Sequence, residues 1–146
     1  MFLLDTNYCS RIIQGDTERI ARFQQLSDLE VVTSVIVRGE LVFMAQNSER
    51  PADNLARVEL FFQDIGAYPI DSKTTDVYGQ LKARIAKHFG PREKSKRRRF
   101  TIAQLGFTDN DLWIAATAIQ HSLIVASADN DFQRMQEAWD FPVEIW

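Results

Sequence analysis

Residues 108–132 read TDNDLWIAATAIQHSLIVASADNDF, and the architecture follows from how that run divides. Acids open it (Asp109, Asp111), an apolar run LWIAATAI follows, then a β-branched run LIVAS, and acids return at Asp129 and Asp131. Divided as helix, short turn and strand, it sets one carboxylate at the start of a buried helix. A second falls just past the carboxyl end of a strand. The first residues of the chain, FLLDTN (2–7), repeat the second half of this design, an apolar strand ending in Asp5. In parallel α/β sheets, functional groups gather beyond the carboxyl ends of the strands. Two strands that each deliver an aspartate to that edge define the question the rest of the chain has to answer.

Strand and helix signals alternate on either side. Residues 17–26 place Ile20, Phe23 and Leu26 at helical spacing, Leu29 to Thr33 (LEVVT) predicts a strand, and Ser34 to Ala45 predicts a helix. Pro51 marks a break, after which Leu55, Val58, Phe61, Phe62 and Ile65 form an amphipathic helix that Gly66 is expected to end. Ala67 to Ile70 is expected as a short strand, with Pro69 arguing for an edge or a strand end. Asp71 and Ser72 open another helix, striped by Val77, Leu81, Ile85 and Phe89, and Gly90-Pro91 stops it. An irregular basic loop is expected up to Gly106, then the helix over Leu112–Ile119, a last helix from Phe132 to Ala138 and a terminal strand, PVEIW. The helix over Leu112–Ile119 is apolar nearly all round, as suits an element buried on several sides. Such alternation predicts an α/β fold, a three-layer α/β/α sandwich with a mostly parallel central sheet, in one domain over residues 1–146.

Composition narrows the function classes. The chain has 146 residues, 45% hydrophobic and 25% charged, ordinary for a globular protein with a real core. No apolar run approaches the ~20 residues that span a bilayer, the chain enters a core strand by Phe2 without the basic region of a signal peptide, and the single cysteine, Cys9, leads us to expect a reducing, cytoplasmic setting. One cysteine, Cys9, excludes an internal disulfide, and with two histidines it argues against structural zinc. A bound metal would be held by oxygen. The net charge is −3, yet residues 92–99 carry +5, leaving −8 elsewhere. A basic run of this kind is a solvated loop or a contact to a phosphate backbone.

Glu40 is the second place where polarity is out of order. On a helix it shares a face with Ile36, Val37, Phe43 and Met44, where an ionised carboxylate costs several kcal/mol unless paired or bound to a cation. Arg38 lies at i−2, on another face, and Gly39 suggests close approach of a second backbone. Asp5, Glu40, Asp111 and Asp129 thus come from separate segments. Brought within a few ångströms, they would either take up protons or be neutralised by a divalent cation. Oxygen ligands suit Mg²⁺ or Mn²⁺, which activates water and stabilises charge on a phosphoryl group.

LLDTN at the start, the GEL helix around Glu40, NDLWIAA around Asp111 and VASADNDF around Asp129 together resemble the PIN domain family, in particular the VapC-type toxins of bacterial toxin–antitoxin operons. The resemblance extends over essentially the whole chain, and it implies a metal-dependent endoribonuclease. Asp5, Glu40, Asp111 and Asp129 match the family's acidic quartet, with Asp5 and Asp111 implied as direct Mg²⁺ (or Mn²⁺) ligands. Glu40 and Asp129 would hold the metal directly or through water. Asp131 matches an often acidic position, an auxiliary ligand or the cap of the last helix, and Asp109 is expected to cap its own helix. Thr6, Asn7 and Ser127 occupy positions whose small polar side chains orient the ligands. Metal-activated water would cleave an RNA phosphodiester, leaving a 5′-phosphate and a 3′-hydroxyl. The implied substrate is transfer RNA or messenger RNA. The implied partners are a small VapB-type antitoxin, presenting a basic side chain to the acids, and a second copy in a homodimer. The segment from Gly90 to Gly106 departs from compact members by its length and charge, which makes Lys96, Arg97, Arg98 and Arg99 candidate RNA contacts.

Other classes with acids at strand ends fit less well. A haloacid-type phosphatase needs a second aspartate two residues after Asp5, where Asn7 stands. A receiver domain wants a lysine on a late strand, and neither LIVAS nor PVEIW has one. DNDFQR lacks the glycine of a calcium loop. The alternative from another class is a catalytically silent PIN-like module that binds RNA or protein. Trp113, Trp139 and Trp146 read as packing residues.

Overall fold

Among the described residues, five short strands, β1 (Phe2–Leu4), β2 (Val31–Ser34), β3 (Gly66–Tyr68), β4 (Ile124–Ala126) and β5 (Val143–Glu144), form one sheet in the order β3-β2-β1-β4-β5. The structure, a computed structural model, describes residues 1–26 and 30–146. All four pairings are parallel, and Leu4 faces Ala126 across the central pair. β1 is the central strand, and Leu3 and Leu4, which point to opposite faces of the sheet, are both fully buried, so its FLL run has no polar alternation. Chain order reverses between β1 and β4, which makes their carboxyl ends the topological switch point of the sheet.

The helices are α1 (Thr6–Ile13), α2 (Thr17–Gln24), α3 (Val35–Gln46), α4 (Pro51–Asp64), α5 (Ser72–Phe89), α6 (Lys94–Arg97), α7 (Asp109–His121) and α8 (Asn130–Gln136). They complete the expected α/β/α sandwich. α7 is the most buried of them, with Leu112, Ile114, Ala115, Ala116, Thr117 and Ala118 all inside, as its uninterrupted apolar run requires. It packs along α5 in the opposite direction. Thr74 hydrogen-bonds Gln120, Tyr78 stacks on Trp113 at 3.7 Å between ring centroids, and Lys82 reaches Asp109 at 2.8 Å. Trp139 lies under the Arg84 guanidinium, and Trp146 packs on Phe2 and Tyr8, so all three tryptophans pack as expected. No helix among the described residues is long and apolar enough to cross a membrane.

Several expectations are corrected. Gly66 does not end α4. That helix stops at Asp64, Ile65 is already extended, and Gly66 is the first residue of edge strand β3, which ends before Pro69. Gly39 is exposed, and a Cβ there would meet nothing within 4 Å, so no second backbone approaches it. The basic segment is not irregular throughout. Glu93 begins the single turn of α6, and a capping box between Thr101 and Gln104 forms a 3-10 turn over Ile102–Leu105. The last helix starts earlier than Phe132, because Asp129 caps it. Leu29, the expected first residue of the second strand, lies outside the described residues, and the strand itself runs on to Ser34.

Candidate metal centre

The site is built at the switch point. Asp5 follows β1 and caps α1, its Oδ1 accepting the Tyr8 N–H at 2.7 Å. Because Leu4 and Ala126 are in register, Ser127 arrives beside Asp5 and donates its hydroxyl to Oδ2. The same Ser127 oxygen accepts the Asp129 N–H at 2.9 Å, which turns the chain so that Asp129 caps α8. Burial pushes the Asp5 carboxyl up to about 6, against the pull of the Ser127 and Tyr8 hydrogen bonds, and the charges of Asp111 and Asp129 push the same way.

Thr108 is the N-cap of α7, so Asp111 sits at the third helical position. The Thr108 hydroxyl lies 2.5 Å from Asp111 Oδ2, and Thr108 Oγ1 accepts the Asp111 N–H at 3.1 Å. Burial also raises Asp111 to about 6. The Thr108 bond opposes this, while the charges of Asp129, Glu40 and Asp131 add to it. Carboxylate oxygens of Asp111, Asp129 and Asp131 lie within 4.8 Å of one another. This is the tightest acidic group among the described residues, and it contains Asp131, which the sequence marks as auxiliary. Asp131 does not cap α8; Asp129 does, and accepts the Asp131 N–H at 2.9 Å. Arg134 bonds Asp131 at 2.8 Å.

Glu40, on α3, is half-buried. Its carboxylate accepts the Thr6 hydroxyl and, at 2.7 Å, the Asn110 side-chain amide. Two donors thus satisfy the acid that looked misplaced on an apolar face, and Arg38 turns instead to Glu59 on α4 at 2.9 Å. Thr6 and Ser127 each hold an acid. Asn7 is exposed, and its side chain makes no hydrogen bond among the described residues. Asp109 is corrected as a cap: Thr108 takes that role, and Asp109 accepts from Tyr78 at 2.6 Å and Lys82 at 2.8 Å. Those two donors hold the Asp109 carboxyl below its ordinary range.

Sequence reasoning missed Asn110 and Arg134. For Asn110 the signal lies in helical phase, since residues 109, 110 and 111 point about 100° apart around α7. They meet α5, Glu40 and the acidic cluster respectively. For Arg134 it was the i,i+3 spacing from Asp131.

In the basic segment, Lys96, Arg98 and Arg99 are exposed, with Lys96 paired to Glu93 at 3.1 Å. Arg97 folds back to donate to the carbonyls of Pro91 and Arg92 at 3.0 and 2.5 Å, which gives it a structural task in the loop.

An all-oxygen donor set with two carboxyls shifted upward by burial and by one another suits a hard divalent cation such as Mg²⁺ or Mn²⁺. The family model for the PIN domain matches residues 2–138. The chain belongs to the PIN domain family. Within it, the tRNA(fMet)-specific endonuclease VapC of Salmonella typhimurium is 32% identical over 90 residues, 62% of this chain and 68% of that protein. Ribonuclease VapC2 of Haemophilus influenzae is 29% identical over 146 residues, 99% of this chain and 97% of that one. Among solved structures, the DNA-bound VapBC of Salmonella typhimurium matches with a TM-score of 0.79 and 26% identity. That match covers 99% of this chain and 97% of the other.

Proposed function

We propose that this PIN domain is a Mg²⁺- or Mn²⁺-dependent endoribonuclease, the toxin of a toxin–antitoxin pair. The observation that carries the reading is the convergence of Asp111, Asp129 and Asp131 within 4.8 Å, beside Asp5. The relatives named as VapC ribonucleases support the substrate class. In this reading Asp5, Asp111 and Asp129 hold the cation, Asp131 supplements them, and Glu40 holds it directly or through water. When bound, the cation lowers the pKa of water and offsets charge on the phosphoryl group under attack. Ser127 and Thr6 would keep Asp5 and Glu40 aimed at the cation. The basic residues Lys96, Arg98 and Arg99 meet the RNA backbone, and cleavage leaves a 5′-phosphate and a 3′-hydroxyl.

A small antitoxin completes the pair. Val35, Phe43 and Met44 on α3 are exposed large apolar side chains lining an open groove that Thr6, Glu40 and Asn110 also line. That arrangement suits a partner segment that is apolar along its length and basic where it meets the acids. The VapBC resemblance supports the same partner, and the exposed Leu60 on α4 adds surface for a second copy of the chain.

The test is RNA cleavage by the purified chain in Mn²⁺, in EDTA, and by Asp111→Asn. Cleavage that needs the metal and disappears in a folded Asp111→Asn supports the enzyme. RNA binding with no cleavage in any divalent metal would leave only a binding module.

A further inference from the structure

We infer that Arg134 is a positioning residue that sets the distance between two members of the acidic cluster, Asp131 and Asp111. The inference rests on the metal reading above.

Three contacts fix the guanidinium. Nη1 donates to Asp131 Oδ1 at 2.8 Å, Nη2 donates to the Leu105 carbonyl at 2.9 Å, and the group lies 4.3 Å from the centre of the Phe107 ring. Asp131 Oδ2 has no hydrogen-bond partner among the described residues, so the arginine turns the carboxylate and leaves an oxygen free. The second contact works at longer range. Leu105 ends the 3-10 turn, and Gly106, left-handed at φ 86°, reverses the chain into Phe107. Thr108 follows at once and holds Asp111. One planar group therefore grips Asp131 directly and Asp111 through the short path Leu105–Thr108.

The same grip fastens the end of the basic segment beside the acids, although residues 105 and 134 are far apart in sequence. Nothing else named at the site joins α8 to this segment by a hydrogen bond. A lysine would keep the charge beside Asp131, but its single ammonium does not reproduce a rigid fork with two separated donors. The fork geometry of Arg134, and not its charge alone, positions the two acids.

The experiment is Mn²⁺ binding by calorimetry to the full chain, to Arg134→Lys, Arg134→Gln and Asp131→Asn, and to the double variant Asp131→Asn/Arg134→Gln. Circular dichroism confirms that each is folded. Both arginine variants are expected to weaken binding about tenfold or more, the effect of losing a group that orients a ligand. Because the grip on Asp131 is lost in either parent, the loss in the double variant should be smaller than the product of its parents' losses. Wild-type affinity in Arg134→Lys, or losses that simply multiply in the double variant, would overturn the inference and leave the metal site standing. A wild-type chain that takes up no Mn²⁺ would overturn the metal reading and this inference with it.

Discussion

Ser127 donates its hydroxyl to Asp5, joining the carboxyl end of β4 to that of β1 through the one acid of the site that is almost wholly enclosed. Both residues stand one position past a register pair, Leu4 and Ala126, so the contact is a direct product of parallel strand pairing. Ser127 also accepts from the Asp129 backbone, and one small side chain thus sets two acids.

Removing that hydroxyl should be expensive for its size. Ser127→Ala leaves a buried carboxylate oxygen without its donor, a loss of about 1–3 kcal/mol in urea unfolding at pH 7. Asp5 would then titrate higher still, since the Ser127 bond is the larger of the two hydrogen bonds that hold it down. Cleavage at neutral pH should fall about 10–100-fold at limiting Mn²⁺, as it does when a ligand loses its orienting partner. Stability within 0.3 kcal/mol of the wild type would show that the contact carries no weight.

Stability without metal should fall as pH rises. The folded value of Asp5, about 6, lies above its ordinary 3.8, so folding favours the protonated carboxyl. The stabilisation is complete below pH 3.8 and is lost as pH climbs through about 6, amounting to about 3 kcal/mol for this group. Asp111 shifts in the same direction. Asp71 and Asp109, whose carboxyls are lowered, lose their contributions only below their ordinary range, outside this window. Unfolding in EDTA between pH 4 and 6.5 should show the decline, Asp5→Asn should flatten it, and Mg²⁺ should reverse it at pH 7. A stability that climbs across this window in EDTA would contradict the assigned shifts.

Legibility in the sequence followed the physics of each element. Asp5 and Asp129 were readable because an apolar strand that ends in Asp is a local pattern, and the cap and the site use the same carboxylate. Glu40 was readable as an acid among apolar neighbours. Of its two donors Thr6 was readable and Asn110 was not, because Asn110 comes from a helix 70 positions away and only the fold sets the angle between α3 and α7. Asp109 misled because several adjacent residues can cap, and the choice of Thr108 depends on where α5 delivers Tyr78 and Lys82. Arg134 was hidden for a related reason: half of its grip is on a backbone carbonyl, which carries no residue signature.

Asn110→Ala should separate orientation from stability. The side chain is exposed, so its loss should change unfolding by no more than about 0.5 kcal/mol. Glu40 would nevertheless keep only the Thr6 donor. The expected result is a Mn²⁺ half-saturation for cleavage raised about tenfold, with kcat at saturating metal nearly restored. A kcat that stays low at saturating metal would mean that Asn110 touches the substrate and does not serve Glu40.

The basic segment makes a quantitative prediction about salt. Single-stranded RNA binding weakens with salt by a log–log slope of about 0.7 per phosphate neutralised. Arg98 and Arg99 are exposed, and their side chains make no hydrogen bond or ion pair among the described residues, so both are free to meet phosphates. In an Asp111→Asn background, which prevents cleavage, Arg98→Ala/Arg99→Ala should reduce the slope by about 1.4 and weaken binding similarly for different sequences. Arg97→Ala should behave differently. Its guanidinium holds the carbonyls of Pro91 and Arg92, so its loss should loosen the loop, seen as faster amide exchange over residues 92–99. If the double variant keeps the full slope, the segment does not lie along the RNA.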